Sequence, residues 1–353
     1  MLLMIMTMKN NTVRLPAEWE SDSAVLLSWP HADTDWAYML HDAQKCVAEI
    51  ARAVTSIGRK VIIIAPEPAE VEQALSDISA KGLLTIYPYL ANDTWTRDYG
   101  PLTLLDAEGN PLCVDYQFNG WGLKFAADRD NLATRHLVDD GLISAPVRDC
   151  LNYTLEGGSI DIDTDGTIIT TSECMLSLNR NGHIDRETVE RELTSTLGAS
   201  RVIWLDYGSL KGDDTDSHID TLARFAPGHT IMYNVCSDRN DPNYDDIAAM
   251  GRQIEQLAAE YGLKTEPLPL PAPIYDSDDG HQLPATYANF LALPEAVLLP
   301  VYGQPSTDDL AVEIISRVFD RPVIPVDCRA LIRQHGSLHC MTMQIPVQAL
   351  NIK

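Results

Sequence analysis

Cysteines, histidines and a set of carboxylates, Cys340 and His218 among them, stand in four polar stretches of this chain: DTWTRDYGP (93–101), LEGGSIDIDTDGTIITTSEC (155–174), GDDTDSHID (212–220) and RQHGSLHCMTMQIP (333–346). LHCMTMQI reads as a strand with Cys340 near its start, and a lone strand cysteine is ordinarily a small buried hydrophobe. A separate His-x-Asp pair, His218 and Asp220, changes that reading, because a thiol with a distant histidine is a candidate for thiolate chemistry. A thiolate attacks electron-poor carbon, carboxylates hold a planar cation through paired hydrogen bonds, and a histidinium hands a proton to a leaving nitrogen. A guanidinium group meets all three descriptions.

Acid density alone would suggest a metal. Asp213, Asp214, Asp216, His218 and Asp220 could be the ligands of a metal-dependent hydrolase. Asp161, Asp163, Asp165 and Gly166 fit positions one, three, five and six of a calcium loop, but position twelve is Ser172 where a bidentate Glu is needed. A β-hairpin turning at Asp165-Gly166, with its aspartates mostly solvated, explains those letters better. In an extended strand positions 218 and 220 share a face, so His218 and Asp220 can meet one substrate. The aspartates before them are then expected to form the turn, face solvent or support His218 at second hand. Glu156 precedes Gly157-Gly158, where glycine lets a ligand or another backbone approach closely.

The elements that must position these residues alternate between strand and helix. Buried strands are predicted at 24–29, 61–65, 83–89, 201–207, 230–235, 296–302 and 322–327, and helices at 42–58, 186–198, 244–262 and 307–319. No phosphate-binding glycine loop and no strong internal repeat are present. The proline-rich then acidic 266–287 is the one candidate linker, and 271–283 within it a candidate lid. With 353 residues and 45% apolar content the chain can bury a sizeable core, and its formal charge of −25 argues against nucleic-acid binding. Seven cysteines occur singly, with no CxxC pair for zinc or redox exchange. No run is long enough to span a membrane, and MLLMIMTM lacks the marks of a secretion signal, so a cytoplasmic protein is expected.

WTRDYGP, FNGWG, LEGGSI, NRN, GDDTDSHID and GSLHCMTMQ, in this order across most of the chain, resemble the agmatine deiminase and bacterial peptidyl-arginine deiminase family. The resemblance implies an α/β pentein fold, a pseudo-fivefold propeller of ββαβ-like units around a central active site. One catalytic domain over 1–353 is expected, with 1–12 as a loose N-terminal extension. It further implies Cys340 as nucleophile, His218 as general acid and then base, and Asp98, Glu156 and Asp220 as the carboxylates that hold the guanidinium. Trp95, Arg97, Trp121, Gly157 and Asp216 are the expected substrate contacts. The implied activity is hydrolysis of agmatine to N-carbamoylputrescine and ammonia in polyamine biosynthesis, through a covalent thiouronium, with no metal and no cofactor. Peptidyl-arginine or free arginine is the alternative substrate, and a non-catalytic binding module on the same fold the alternative of another class. The expected partner is a small cationic guanidine, with neither nucleic acid nor membrane; a homo-oligomer stays open. Two places depart from the family pattern: Asp216-Ser217 stands where Asn-Gly is usual, and His335-Gly336-Ser337-Leu338 where Gly-Gly-Asn-Ile is. Both lie at the rim, so the substrate's tail is what they leave open.

Overall fold

In the computed structural model, which describes residues 13–352, the apolar runs become short strands that share one local plan. β1 (Ser23–Ser28), β2 (Val61–Ala65) and β3 (Leu84–Pro88) are followed by β4 (Leu102–Leu105), β5 (Pro111–Gln117) and β6 (Val147–Thr154). β7 (Ile160–Ile162), β8 (Thr167–Thr171) and β9 (Arg201–Leu205) come next, then β10 (Ala223–Ala226), β11 (Thr230–Val235) and β12 (Lys264–Pro269). A small hairpin, β13 (Ile274–Tyr275) and β14 (Gln282–Leu283), precedes β15 (Leu291–Ala292), β16 (Val297–Val301), β17 (Val323–Asp327) and β18 (Met343–Pro346).

The sheets β4-β5-β6, β7-β8-β9, β10-β11-β12 and β15-β16-β17 each pair their first two strands antiparallel and their last two parallel. A parallel pair needs a crossover, and each has a helix: Asp130–Asp139, Arg186–Leu197, Tyr244–Tyr261 and Pro305–Phe319. The fifth unit joins the two ends of the chain. β18 runs antiparallel to β1, with Val25 opposite Gln344, while helix Leu40–Ser56 carries the chain to the parallel strand β2, and β3 extends that sheet. Five ββαβ units, the last completed by both ends of the chain, make the pentein fold that the resemblance implied.

Local sequence explains these elements. VIIIA in β2 is buried at every position, as a strand covered on both faces must be. Helix Leu40–Ser56 buries Ala43, Val47, Ile50, Ala51 and Val54, an i, i+4, i+7 stripe turned to the sheet. Helix Arg186–Leu197 begins where the Asp185 side chain accepts from the Thr188 N–H, and ends at Gly198 in the left-handed conformation. One contiguous cluster of buried side chains extends from Ala17 to Leu350.

Three local expectations need correction. The 165–166 turn does join an antiparallel hairpin, β7 to β8, but its aspartates are not mostly solvated: Asp161 and Asp163 are buried, against Arg224 and His229. His218 and Asp220 are not on a strand, because Ile219–Thr221 is a 3-10 turn leading into β10. Cys340 likewise lies in a turn, with β18 starting three residues later. Residues 271–283 contain the β13–β14 hairpin, which Arg333 ties down through Asp276 and Asp278. The expected extension 1–12 lies outside the described residues. No described helix is long and apolar enough to cross a membrane.

Candidate active site

Each of the five units sends a polar side chain into one buried cluster from the segment just before its first strand. Asp98 comes from the short helix Thr96–Tyr99 ahead of β4, and Glu156 and Gly158 from the turn into β7. His218 and Asp220 precede β10, Asn289 precedes β15 and Cys340 precedes β18. Residues up to 242 positions apart meet because equivalent turns of the five units converge; Arg97 and His339, for example, are in contact.

Cys340 Sγ lies 3.6 Å from Asp220 Oδ2 and 3.2 Å from Asn289 Nδ2, which donates to it. Asn289 Oδ1 accepts from the backbone N–H groups of His339 and Cys340 at 2.8 and 3.3 Å, so Asn289 fixes the turn that carries the thiol. Asp220 Oδ2 is held by His339 Nδ1 at 2.7 Å, whereas Asp220 Oδ1 is buried with no hydrogen-bond partner. A buried carboxylate oxygen without a donor is costly, and a bound N–H group would satisfy it.

Asp98 accepts at both oxygens, from the Gly158 N–H at 2.8 Å and from the Trp121 indole N–H at 2.9 Å. Trp121 reaches it from a left-handed backbone, φ 55°, which costs a non-glycine residue about 1–2 kcal/mol. His218 stands between two acids, Nδ1 3.7 Å from Asp98 Oδ1 and Nε2 3.4 Å from Glu156 Oε2. Gly158 is required here: a Cβ on it would fall 2.7 Å from His218 Nδ1 and 2.8 Å from Asp98 Oδ1.

Burial shapes the proton affinities. It pushes the Cys340 thiol well above its usual range, and the charges of Asp220 and Asp98 add to the effect. Burial alone would strip His218 of its proton, but Asp98, the neighbouring Cys174 and Glu156 raise it well above an ordinary histidine. Cys174 is itself pushed up by burial and stays a thiol, so the two carboxylates are the charges that hold the proton. Burial also raises Asp98, with Asp220 and Glu156 on the same side and His218 opposing. Glu156 is lowered despite burial, by His218 and Arg180.

A cleft opens onto this cluster, lined by Trp95, Trp121, Asp98 and Cys340, while His218 and Asp220 are buried and not among its lining residues. Four other expected contacts lie elsewhere. The Arg97 guanidinium turns away to Glu18, 3.0 Å, and Gln344. Gly157 packs against the Arg97 carbonyl, 2.1 Å from where a Cβ would be, and Gly158 makes the close approach at the site instead. Glu156 presents no free oxygen for a guanidinium, because Arg180 Nε donates to both at 2.7 and 3.0 Å behind His218. Asp216 is committed to Lys124 and Arg180 at 2.6 and 2.7 Å.

Asp216 is linked to His218 only through Arg180 and then Glu156, while Asp213 forms the turn by accepting from the N–H groups of Thr215 and Ser217. Asp216 and Ser217 both have φ 64°, the left-handed backbone that Asn and Gly adopt most readily. Asp214 is the exception: it lines the cleft, and burial pushes its carboxyl up to about 6. These acids therefore do not converge as a metal nest. Glu156, Cys174 and His218 do bring three ligand atoms within 4.8 Å of one another, but Arg180 already occupies the Glu156 oxygens. The sequence reading missed Asn289, His339, Arg180 and the cleft acids Asp35 and Asp93, and did not place Asp214 in the cleft. NRN and LHC contain two of them; Asn289 sits in no motif and is found only by its place before a first strand.

The family model described as Porphyromonas-type peptidyl-arginine deiminase matches residues 14–346. A Porphyromonas gingivalis protein, provisionally named an arginine deiminase, is 42% identical and superposes with a TM-score of 0.88 over 96% of this chain and 99% of that one. A C. jejuni agmatine deiminase, solved as a cysteine-to-serine variant with substrate bound, is 32% identical with a TM-score of 0.87, covering 95% and 96%. The agmatine deiminase of Pseudomonas aeruginosa is 30% identical over 94% of this chain and 95% of its own.

Proposed function

The chain belongs to the Porphyromonas-type peptidyl-arginine deiminase family and is a hydrolase of guanidino C–N bonds, and from that premise we propose that its substrate is agmatine. The observation that carries the choice is the cleft's charge. Asp35, Asp93 and Asp214 line it beside the guanidinium site, and no Lys or Arg is among its lining residues. A second cation, the free amine of agmatine, is attracted there; the α-carboxylate of arginine would meet like charge.

In the proposed cycle the guanidinium sits against Asp98 and the open oxygen of Asp220. The Cys340 thiol gives up its proton to solvent as the cation binds, and the thiolate attacks the guanidinium carbon. His218 protonates the departing nitrogen, which leaves as ammonia, and an S-alkylthiouronium remains on Cys340. His218, now neutral, takes a proton from water; the hydroxide adds to the same carbon, and the C–S bond breaks as the added hydroxyl yields its proton to the departing sulfur, releasing N-carbamoylputrescine and restoring the Cys340 thiol and the protonated His218. Glu156 keeps His218 oriented and charged, and acid–base assistance of this kind contributes about 10²–10⁴-fold per step. A C. jejuni relative that holds substrate when its cysteine is serine supports this reading. We further propose a single catalytic domain that acts in polyamine biosynthesis.

The test offers purified protein agmatine, arginine and an internal-arginine peptide separately and measures ammonia. Turnover of agmatine, lost in Cys340→Ser, is expected. Preferred turnover of the peptide or of arginine would overturn the substrate, and equal release by the serine variant would overturn the nucleophile.

A further inference from the structure

His339 touches no part of the cleft, yet both of its ring nitrogens are committed in the buried interior. Nδ1 lies 2.7 Å from Asp220 Oδ2 and Nε2 lies 2.6 Å from Glu18 Oε1. Glu18 is clamped in turn, with Arg97 Nη2 3.0 Å from Oε1 and Arg224 Nη2 2.8 Å from Oε2, and Arg224 continues to Asp161 at 3.3 Å. The backbone of His339 is fixed by Asn289. A continuous polar chain thus runs from the N-terminal segment, through the neighbour of the nucleophile, to the carboxylate beside the thiol. A histidine that only filled space would not need an acid buried behind it, since an ion in the interior is costly unless paired.

We infer that His339, backed by Glu18, is a positioning residue for guanidinium capture: it holds Asp220 by Oδ2 and leaves Oδ1 open to a substrate N–H. The inference rests on the deiminase reading of the same site. The unpartnered state of Asp220 Oδ1 is the independent observation, because His339 accounts for only one of the two oxygens. The charged groups around this chain are Glu18, Arg97, Arg224 and Asp161 on one side and Asp98 and His218 on the other, where the neutral thiol of Cys340 is the further titratable group. Burial pushes Asp220 up, but the His339 hydrogen bond and charge, then His218 and Arg224, bring it below the ordinary carboxylate range. Weakening His339 lets Asp220 rise, and a protonated Asp220 cannot pair with a cation. The acid limb of kcat/KM must then move to higher pH.

Two variants test this. His339→Asn keeps a donor toward Asp220 but cannot reach Glu18, and Glu18→Gln keeps size while removing charge. The readouts are the pH profile of ammonia release from agmatine and the preference of Cys340 for a haloacetamidine over the neutral haloacetamide. An acid limb raised by about one pH unit and an amidine preference lowered by about tenfold are expected, with melting temperatures near wild type. Unchanged limb and preference in a folded variant would overturn the inference; should His339→Asn not fold, Glu18→Gln decides by the same criteria. The haloacetamidine carries the cationic head without a tail. A lost amidine preference would therefore uphold the inference even if the wild type did not turn over agmatine, and that failure would sink the substrate reading alone.

Discussion

Cys340 and His218 both keep their protons at rest, for opposite reasons. Burial and two carboxylates hold the proton on the thiol, whereas Asp98 and Glu156 overcome burial to hold it on the imidazole. His218 spends its charge on those carboxylates, 3.7 and 3.4 Å away, and the thiol hydrogen-bonds with Asp220 and Asn289. The resting pair is therefore not a thiolate–imidazolium pair. A guanidinium set against Asp98 and Asp220 would neutralise the charges that keep the thiol protonated, so in the proposed cycle the substrate makes its own nucleophile. It follows that iodoacetamide, which brings no charge, should alkylate Cys340 in the free enzyme slowly at pH 7 and faster at every step up to pH 9. A rate that levels off below pH 8 would mean that the thiolate exists before substrate arrives.

At the scale of elements, the start of helix Asp130–Asp139 governs the wall of the cleft. Asp130 is fully buried and accepts from the backbone N–H groups of Asn92, at 2.6 Å, and Asp93, pinning the segment that carries Asp93 and Trp95 to the substrate. Burial pushes Asp130 up to about 8 and Asp93 up to about 7. Because both lie above an unfolded carboxylate near 3.8, the folded chain binds more protons between about pH 4 and 8. Their stabilising share is complete below that window and is lost as pH rises through it. Asp130→Asn keeps an acceptor and cannot ionise, so its melting temperature should fall less between pH 5 and pH 8 than that of the wild type; parallel curves would refute the assignment. The same region shows what sequence could not reveal. Helices predicted at 42–58, 186–198, 244–262 and 307–319 stand at Leu40–Ser56, Arg186–Leu197, Tyr244–Tyr261 and Pro305–Phe319, because each has an apolar stripe. The unit β4-β5-β6 with helix Asp130–Asp139 was not visible, since buried Asp115, paired with Arg135, and buried Asp130 interrupt the pattern that marks an interior. Within the site, residue type located the right turns but not the direction of side chains. Arg97 and Asp98 are neighbours on one short helix, and only Asp98 faces the cleft; of the adjacent glycines, Gly157 packs against the Arg97 carbonyl and Gly158 against His218 and Asp98. A turn has no period from which a face can be read.

At the scale of the molecule, five units with one connectivity and no detectable sequence repeat place six polar residues at five equivalent turns. Asp98, Glu156, His218 with Asp220, Asn289 and Cys340 each precede a first strand, so the backbone repeats while the chemistry does not. Joining the two ends of the chain in the fifth unit brings Glu18 and His339 together across 321 positions, and thereby ties the N-terminal segment to the nucleophile's turn. Charge acts at this scale as well. The formal charge of −25 surrounds a cleft that has three further acids near its guanidinium site, so the field attracts a dication more strongly than a monocation. Salt shortens the reach of that field to about 10 Å at 0.1 M. Raising salt from 0.02 to 0.2 M should therefore lower kcat/KM for agmatine by severalfold, on the order of 10-fold at most. N-butylguanidine, which has the same head and no terminal amine, should lose much less under the same change. Equal salt sensitivity of the two would show that neither the distant charge nor Asp35, Asp93 and Asp214 reads the tail, and the choice of agmatine over other guanidines would lose its electrostatic basis.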